Sequence, residues 1–174
     1  RAGVPRGAVQ GLKPVFRGQG TVTAGNCCPL NDGAAALVVM SDTRAQQRGL
    51  EPLARVVSTA ATGLSPEIMG LGPVEASTLA LKRAGMSIGD IDLYEINEAF
   101  AAQVIGSADQ LGMDYDKLNV NGGAIAIGHP FGATGARITG TPINALRERD
   151  EQFGLDTMCV GGGEVRAVVF ARRT

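Results

Sequence analysis

Leu155-Asp156-Thr157-Met158-Cys159-Val160, then Gly161-Gly162-Gly163, then Glu164-Val165-Arg166-Ala167-Val168-Val169-Phe170 is the stretch on which the fold turns. Two apolar runs flanking three glycines predict two strands around a glycine turn. Upstream, Ile91 to Ile96 alternates apolar and polar residues as a strand does. Glu98 to Leu111 then sets Phe100, Val104, Ile105, Ala108 and Leu111 near helical spacing and closes on Gly112. Strands alternating with helices predict an α/β fold, and the final hairpin makes its sheet mixed.

Further outward, Leu53 to Ala61 is β-rich around Val56-Val57. Pro73 suits a first helical turn, and the helix through Leu79 and Leu81 should stop at Gly85. Ser87 and Asp90 have the spacing of a capping box before a very short helix. Ala133 to Arg149 reads as helical, but Gly140 and Pro142 lie in its middle. An interior proline costs about 3 kcal/mol, so this helix is predicted to bend or break near residues 139–141. Ala34 to Met40 is a short continuous apolar run, the pattern of a strand buried on both faces. Ser41-Asp42 then offers an N-cap and Gly49 a stop for a short helix. Residues 1–30 read as loop with one short strand. Gly49 and Pro52 set the predicted boundary near residues 49–53.

The chain has 174 residues, 44% hydrophobic and 19% charged, enough to bury a core. Sixteen basic against seventeen acidic residues give a net charge of −1, which excludes a basic nucleic-acid footprint. No apolar stretch approaches the length of about 18 residues that a membrane span needs. Aromatics are 4% and Trp is absent, so the core must be Ala, Val, Ile and Leu. The three cysteines, Cys27, Cys28 and Cys159, form no disulfide framework, and a reducing, cytoplasmic setting is expected. The chain begins at Arg1 rather than Met, and a piece of something longer is expected, with a targeting segment upstream left open.

Three places can carry chemistry. His129, the single histidine, sits in a glycine-rich loop between Gly128 and Pro130. It reads equally as a loop histidine held by backbone hydrogen bonds or as a group that moves protons near neutral pH. Cys159 ends an apolar strand before three glycines. It is a small buried hydrophobe, or a thiol beside accessible N–H groups that stabilise an oxyanion. Asn97-Glu98 follows a strand and is either an ordinary N-cap or a polar site. Cys27-Cys28 with one histidine gives no zinc pattern, so no metal is expected. The glycines around residues 122–135 lack a phosphate-loop lysine.

Together these features are specific. Asn97-Glu98-Ala99-Phe100, the run Gly122-Gly123-Ala124-Ile125-Ala126-Ile127-Gly128-His129-Pro130-Phe131-Gly132-Ala133-Thr134-Gly135-Ala136-Arg137, and Cys159-Val160-Gly161-Gly162-Gly163 resemble the C-terminal motifs of the thiolase family. Thr23-Ala24-Gly25-Asn26 and Asn31-Asp32-Gly33-Ala34-Ala35-Ala36 resemble its mid-chain motif. The resemblance covers essentially the whole chain, in the family's order.

The resemblance implies an acyltransferase that cleaves 3-ketoacyl-CoA with CoA, or condenses two acyl-CoA molecules. Coenzyme A would be a substrate, and no separate cofactor is implied. The fold implied is the second half of a thiolase, a five-stranded mixed sheet with helices on both faces. Residues 1–51 would be the end of a loop domain and the last segment of the N-terminal half. Residues 52–174 would be the C-terminal domain. His129 would activate a nucleophilic cysteine and donate to the thioester oxygen. Asn97 would hold the water sharing that oxyanion hole, Cys159 would be the acid/base at the α-carbon, and the Gly161 N–H would serve a second oxyanion hole. Cys28, Phe100 and Phe131 would line the acyl-CoA site, Cys28 standing where the family usually has a serine. Glu164-Val165 replaces a pair that usually ends in glycine, and Gly140-Thr141-Pro142 interrupts a helix that is usually apolar there.

The family's nucleophilic cysteine belongs to a motif that this chain lacks, so the chain alone is expected to be inactive. The competing reading is a non-catalytic module of the same fold that binds acyl-CoA or a partner subunit. A ketosynthase of this fold usually needs a second histidine. An apolar face with Ala136, Ile138, Ile143 and Leu146 is expected to lie open, so that the chain associates with itself or with the missing half.

Overall fold

The computed structural model describes residues 4–173, so Arg1, Ala2, Gly3 and Thr174, the outer ends of the two expected units, lie outside the described residues. In chain order the elements are α1 (Arg6–Gln10), α2 (Asp42–Gln47), β1 (Ala54–Gly63), α3 (Gly72–Ala84), β2 (Leu93–Ile96), α4 (Ala101–Leu111), α5 (Ala124–Ile127), α6 (Phe131–Arg149), β3 (Phe153–Val160) and β4 (Glu164–Arg172). Short 3₁₀ turns join several of them, including Gly161–Gly163 between β3 and β4.

The sheet has the order β1-β4-β3-β2. β3 and β4 form the expected antiparallel hairpin, with Val160 opposite Glu164 across the glycine turn. β1 pairs antiparallel with β4, and β2 pairs parallel with β3, so the sheet is mixed as expected.

Among the described residues it has four strands, not five. Leu118 makes a single parallel bridge to Tyr94 on the outer edge of β2. The ladder ends there because Asn119 turns into the left-handed region at φ 47°, a conformation Asn tolerates better than most residues. Its side chain takes over the pairing, accepting from the Ile96 N–H at 2.9 Å and donating to the Ile96 carbonyl at 3.0 Å.

Helices cover both faces. On one face α3 and α4 pack Ala76, Ala80, Leu81, Val104 and Ala108 on Ala60, Tyr94, Ile96, Leu155, Val165, Ala167 and Val169. On the other, Ala145 and Leu146 of α6 meet Leu93 and Phe170. The period-2 alternation of each strand thus feeds two cores. Pro73 in the first turn and Gly85, left-handed at φ 68°, bound α3 as expected. The Ser87 and Asp90 capping box forms, with the Ser87 N–H donating to Asp90 Oδ2 at 2.7 Å.

Three further expectations are corrected. α6 runs unbroken through Pro142. The Thr139 and Thr141 hydroxyls donate back to the Gly135 and Arg137 carbonyls at 3.0 Å each, and burial of Ile138 and Leu146 on the sheet offsets the missing proline donor. For the same reason that helix presents no open apolar face at Ile138 or Leu146, which are 1% and 0% exposed. Finally, Ala34 to Met40 forms no strand and is exposed throughout, with Val38 85% and Val39 79% exposed. No strand or helix among the described residues covers it. The exposed apolar surface expected of α6 lies here instead.

Candidate active site

Because β2 and β3 run parallel with Ile96 beside Thr157, their carboxyl ends open on the same edge of the sheet. Ligand sites in α/β sheets form outside such ends. Asn97 follows β2 directly, and its N–H donates to the Thr157 carbonyl at 3.0 Å. Cys159 stands two residues further along β3. Asn97 is not an N-cap, since α4 starts only at Ala101 after an extended Phe100.

The side chain of Asn97 is 1% exposed, and both its Oδ1 and Nδ2 are buried without a protein partner. Leaving two such atoms unpaired costs on the order of 1–3 kcal/mol each unless water or a ligand meets them. The Cys159 thiol is 6% exposed. Burial pushes it above the ordinary thiol range, and the neighbouring Cys28 adds to that, so it is held protonated near neutral pH.

His129 reaches this edge on the loop that follows α5. Gly128 has φ 108°, and a Cβ there would sit 2.1 Å from Asn31 Oδ1, so the loop closes on the segment carrying Asn31 only as glycine. The His129 N–H donates to the Pro29 carbonyl at 3.2 Å. On the other side of that segment the Cys28 N–H donates to the Ala99 carbonyl at 3.0 Å, and the Ala101 N–H to the Asn26 carbonyl at 2.9 Å. Residues 26–31 are therefore a strap between the start of α4 and the histidine loop.

Thr134, which sequence reasoning missed, sets the imidazole. Its hydroxyl donates to the Pro130 carbonyl at 3.1 Å, and His129 Nδ1 lies 2.7 Å from the same oxygen. With the hydroxyl proton committed to the carbonyl, Nδ1–H is the donor, and Nε2 keeps its lone pair. Burial, with a smaller contribution from Arg137, holds the imidazole below its ordinary value and hence neutral. The only sequence signal for Thr134 is a hydroxyl in the first turn of the helix after His129. Phe131 packs edge-on against His129 with ring centroids 4.8 Å apart and is 70% exposed. Phe100 meets Phe16 edge-on at 6.0 Å. Gly161 opens the hairpin turn and is exposed.

The arrangement offers a neutral base, a protonated thiol and unpaired amide atoms at one sheet edge. Residues 50–172 match the family described as thiolase, C-terminal domain, and residues 1–43 match thiolase, N-terminal domain. An Escherichia coli (strain K12) acetyl-CoA acetyltransferase is 53% identical over 165 residues, covering 95% of this chain and 42% of that protein. A Salmonella typhimurium 3-ketoacyl-CoA thiolase is 54% identical over 169 residues, covering 95% of this chain and 44% of that protein. Among solved structures, the Bacillus anthracis acetyl-CoA acetyltransferase superposes with a TM-score of 0.97 at 46% identity, over 99% of this chain and 44% of that one. Human mitochondrial 3-ketoacyl-CoA thiolase in complex with CoA gives 0.94 at 42% identity, over 100% and 44%. The chain spans less than half the length of these relatives.

Proposed function

We infer the function of this chain from the premise that it belongs to the thiolase family, by its two matched family domains and its relatives. We propose that it carries one half of an acyl-CoA acyltransferase site, which cleaves 3-ketoacyl-CoA with CoA or condenses acyl-CoA units. CoA acts as substrate, with no further cofactor. Residues 1–51 belong with the N-terminal half and residues 52–174 form the C-terminal domain. The attacking thiol comes from a segment that this chain lacks.

The observation that carries this reading is Asn97, whose two buried amide atoms lack a protein partner at the carboxyl end of β2. Such a group suits a held water or a substrate oxygen. His129 Nε2 takes the proton of the attacking thiol, and the resulting Nε2–H then donates to the thioester oxygen as negative charge develops there. Fixed donors stabilise that charge without reorganising. Asn97 holds the water that shares this hole. Cys159, kept protonated by burial, gives its proton to the α-carbon in cleavage, and the thiolate this leaves takes one back from the incoming CoA thiol. In condensation the steps reverse, CoA leaving with the Cys159 proton and the thiolate then removing the α-proton. The Gly161 N–H serves the second oxygen. Cys28, Phe100 and Phe131 line the path of the acyl-CoA, and the free thiols accord with a cytoplasmic setting.

The 174-residue chain alone should show no thiolysis of acetoacetyl-CoA with added CoA, followed by loss of the enolate absorbance. Turnover that Cys159→Ala abolishes would reassign the nucleophile to this chain.

The chain is expected to associate, with a second copy or with the missing half, through the exposed run at Val38 and Val39. Burying each of these side chains is worth about 1.5 kcal/mol or more. In light scattering at low micromolar concentration, Val38→Ser with Val39→Ser should shift the chain towards monomer. An unchanged mass would move the contact elsewhere.

A further inference from the structure

Glu98 lies one residue beyond Asn97, and the functions proposed above give it no part. Its carboxylate accepts two hydrogen bonds from the far side of the site. Asn119 Nδ2 donates to Oε1 at 2.9 Å, and the Ile125 N–H donates to Oε2 at 3.0 Å. Asn119 is itself fixed, because its amide bonds both the N–H and the carbonyl of Ile96, which determines which end faces Glu98. Its own backbone is held too, by its N–H to the Tyr94 carbonyl at 2.9 Å, and the Gly122 N–H then donates to the Asn119 carbonyl at 2.7 Å. Gly123 clears the space, since a Cβ there would sit 2.5 to 2.7 Å from the Glu98 carboxyl atoms. From Ile125 the chain makes the single turn of α5, the Gly128 N–H closes on the Ala124 carbonyl at 2.8 Å, and His129 follows.

We propose that Glu98 is a positioning residue for His129, clamping the glycine loop of residues 122–128 to the end of β2 so that the imidazole is delivered to the edge where Asn97 and Cys159 stand. Both partners of the carboxylate are donors. The place therefore calls for two acceptors, which Glu supplies and Gln does not: in Glu98→Gln one amide nitrogen would face a donor. The geometry explains why Asn97 and Glu98 are adjacent. One side chain faces the reacting edge, and the next fastens the loop that brings the base to it.

This proposal rests on the reading of His129 as the base, but its test needs no turnover. His129 is the single histidine of the chain, so its imidazole resonances are unambiguous in the 174-residue protein. In Glu98→Gln the far-UV spectrum should be unchanged, the Ile125 and Gly128 amide resonances should move, and the His129 titration midpoint should rise by about half a pH unit. The rise is expected because a loosened loop admits water to an imidazole whose midpoint burial now lowers. Gly123→Ala, which displaces the carboxylate without removing its charge, should do the same. An unchanged midpoint in either folded variant overturns the proposal, as does failure of both to fold, which would make Glu98 a general support of the domain. A shifted midpoint alongside an intact acyltransferase that does not need His129 would leave the clamp standing and strike the reading of the base.

Discussion

Replacing Arg137 with Met should destabilise the fold by about 3–5 kcal/mol near pH 8, and by much less near pH 5. Arg137 on α6 forms an ion pair with Glu95 of β2, whose side chain is 2% exposed. Asp156 of β3 is 3% exposed on the same side of the sheet, and its Oδ2 has no partner, nor has Arg137 Nη2. Arg137 thus pairs with Glu95, while Asp156 is favoured as a carboxylate first by Thr139 and then by the Arg137 charge. Burial outweighs the attraction of Arg137 and pushes Glu95 up to about 7, and burial likewise pushes Asp156 up to about 7.

Both folded values stand above the unfolded ones, so the folded state holds protons that the unfolded chain releases. Stability is therefore full below about pH 4 and is lost as pH rises through about 7. For one retained proton that loss is about 2 kcal/mol between pH 5 and pH 8. Without the Arg137 charge both carboxylates are pushed higher still, so the folded state holds their protons to higher pH while the unfolded chain releases them, which is why the penalty grows there. Denaturant unfolding of parent and variant at the two pH values measures it. Asp156→Asn in the otherwise unchanged chain should flatten the pH dependence. A variant equally destabilised at both pH values would mean that Arg137 acts through packing alone.

Much of this architecture was legible where local chemistry decides the outcome. Pro73 and Gly85 mark α3 because one tolerates a missing donor and the other a left-handed backbone. The three glycines at 161–163 announce a tight hairpin between two apolar runs. Legibility failed where burial depends on a distant partner. Ala34 to Met40 carries the pattern of a central strand but is exposed, since that pattern states what the segment could bury and not whether a neighbour exists. The fifth strand failed for a local reason hidden in a distant contact: Asn119 ends the ladder by bonding Ile96 with its side chain. Pro142 signalled a break that a face packed on the sheet averted.

The candidate site divides the same way. His129, Asn97 and Cys159 stood out by residue type and setting. Thr134, which fixes the tautomer, and Asn119, which anchors Glu98, act through pairings that no spacing announces.

The most direct test sets this chain within a full-length relative. In the Escherichia coli acetyl-CoA acetyltransferase, the C-terminal part that is 53% identical over 165 residues can be replaced by this chain and the thiolysis of acetoacetyl-CoA followed. The fused protein should turn over, and Cys159→Ser should lower kcat by on the order of 10²–10⁴-fold with little change in KM, as loss of a positioned acid/base does. A fused protein with native secondary structure whose turnover is indifferent to Cys159 would contradict the assignment of this chain as the acid/base half of the site.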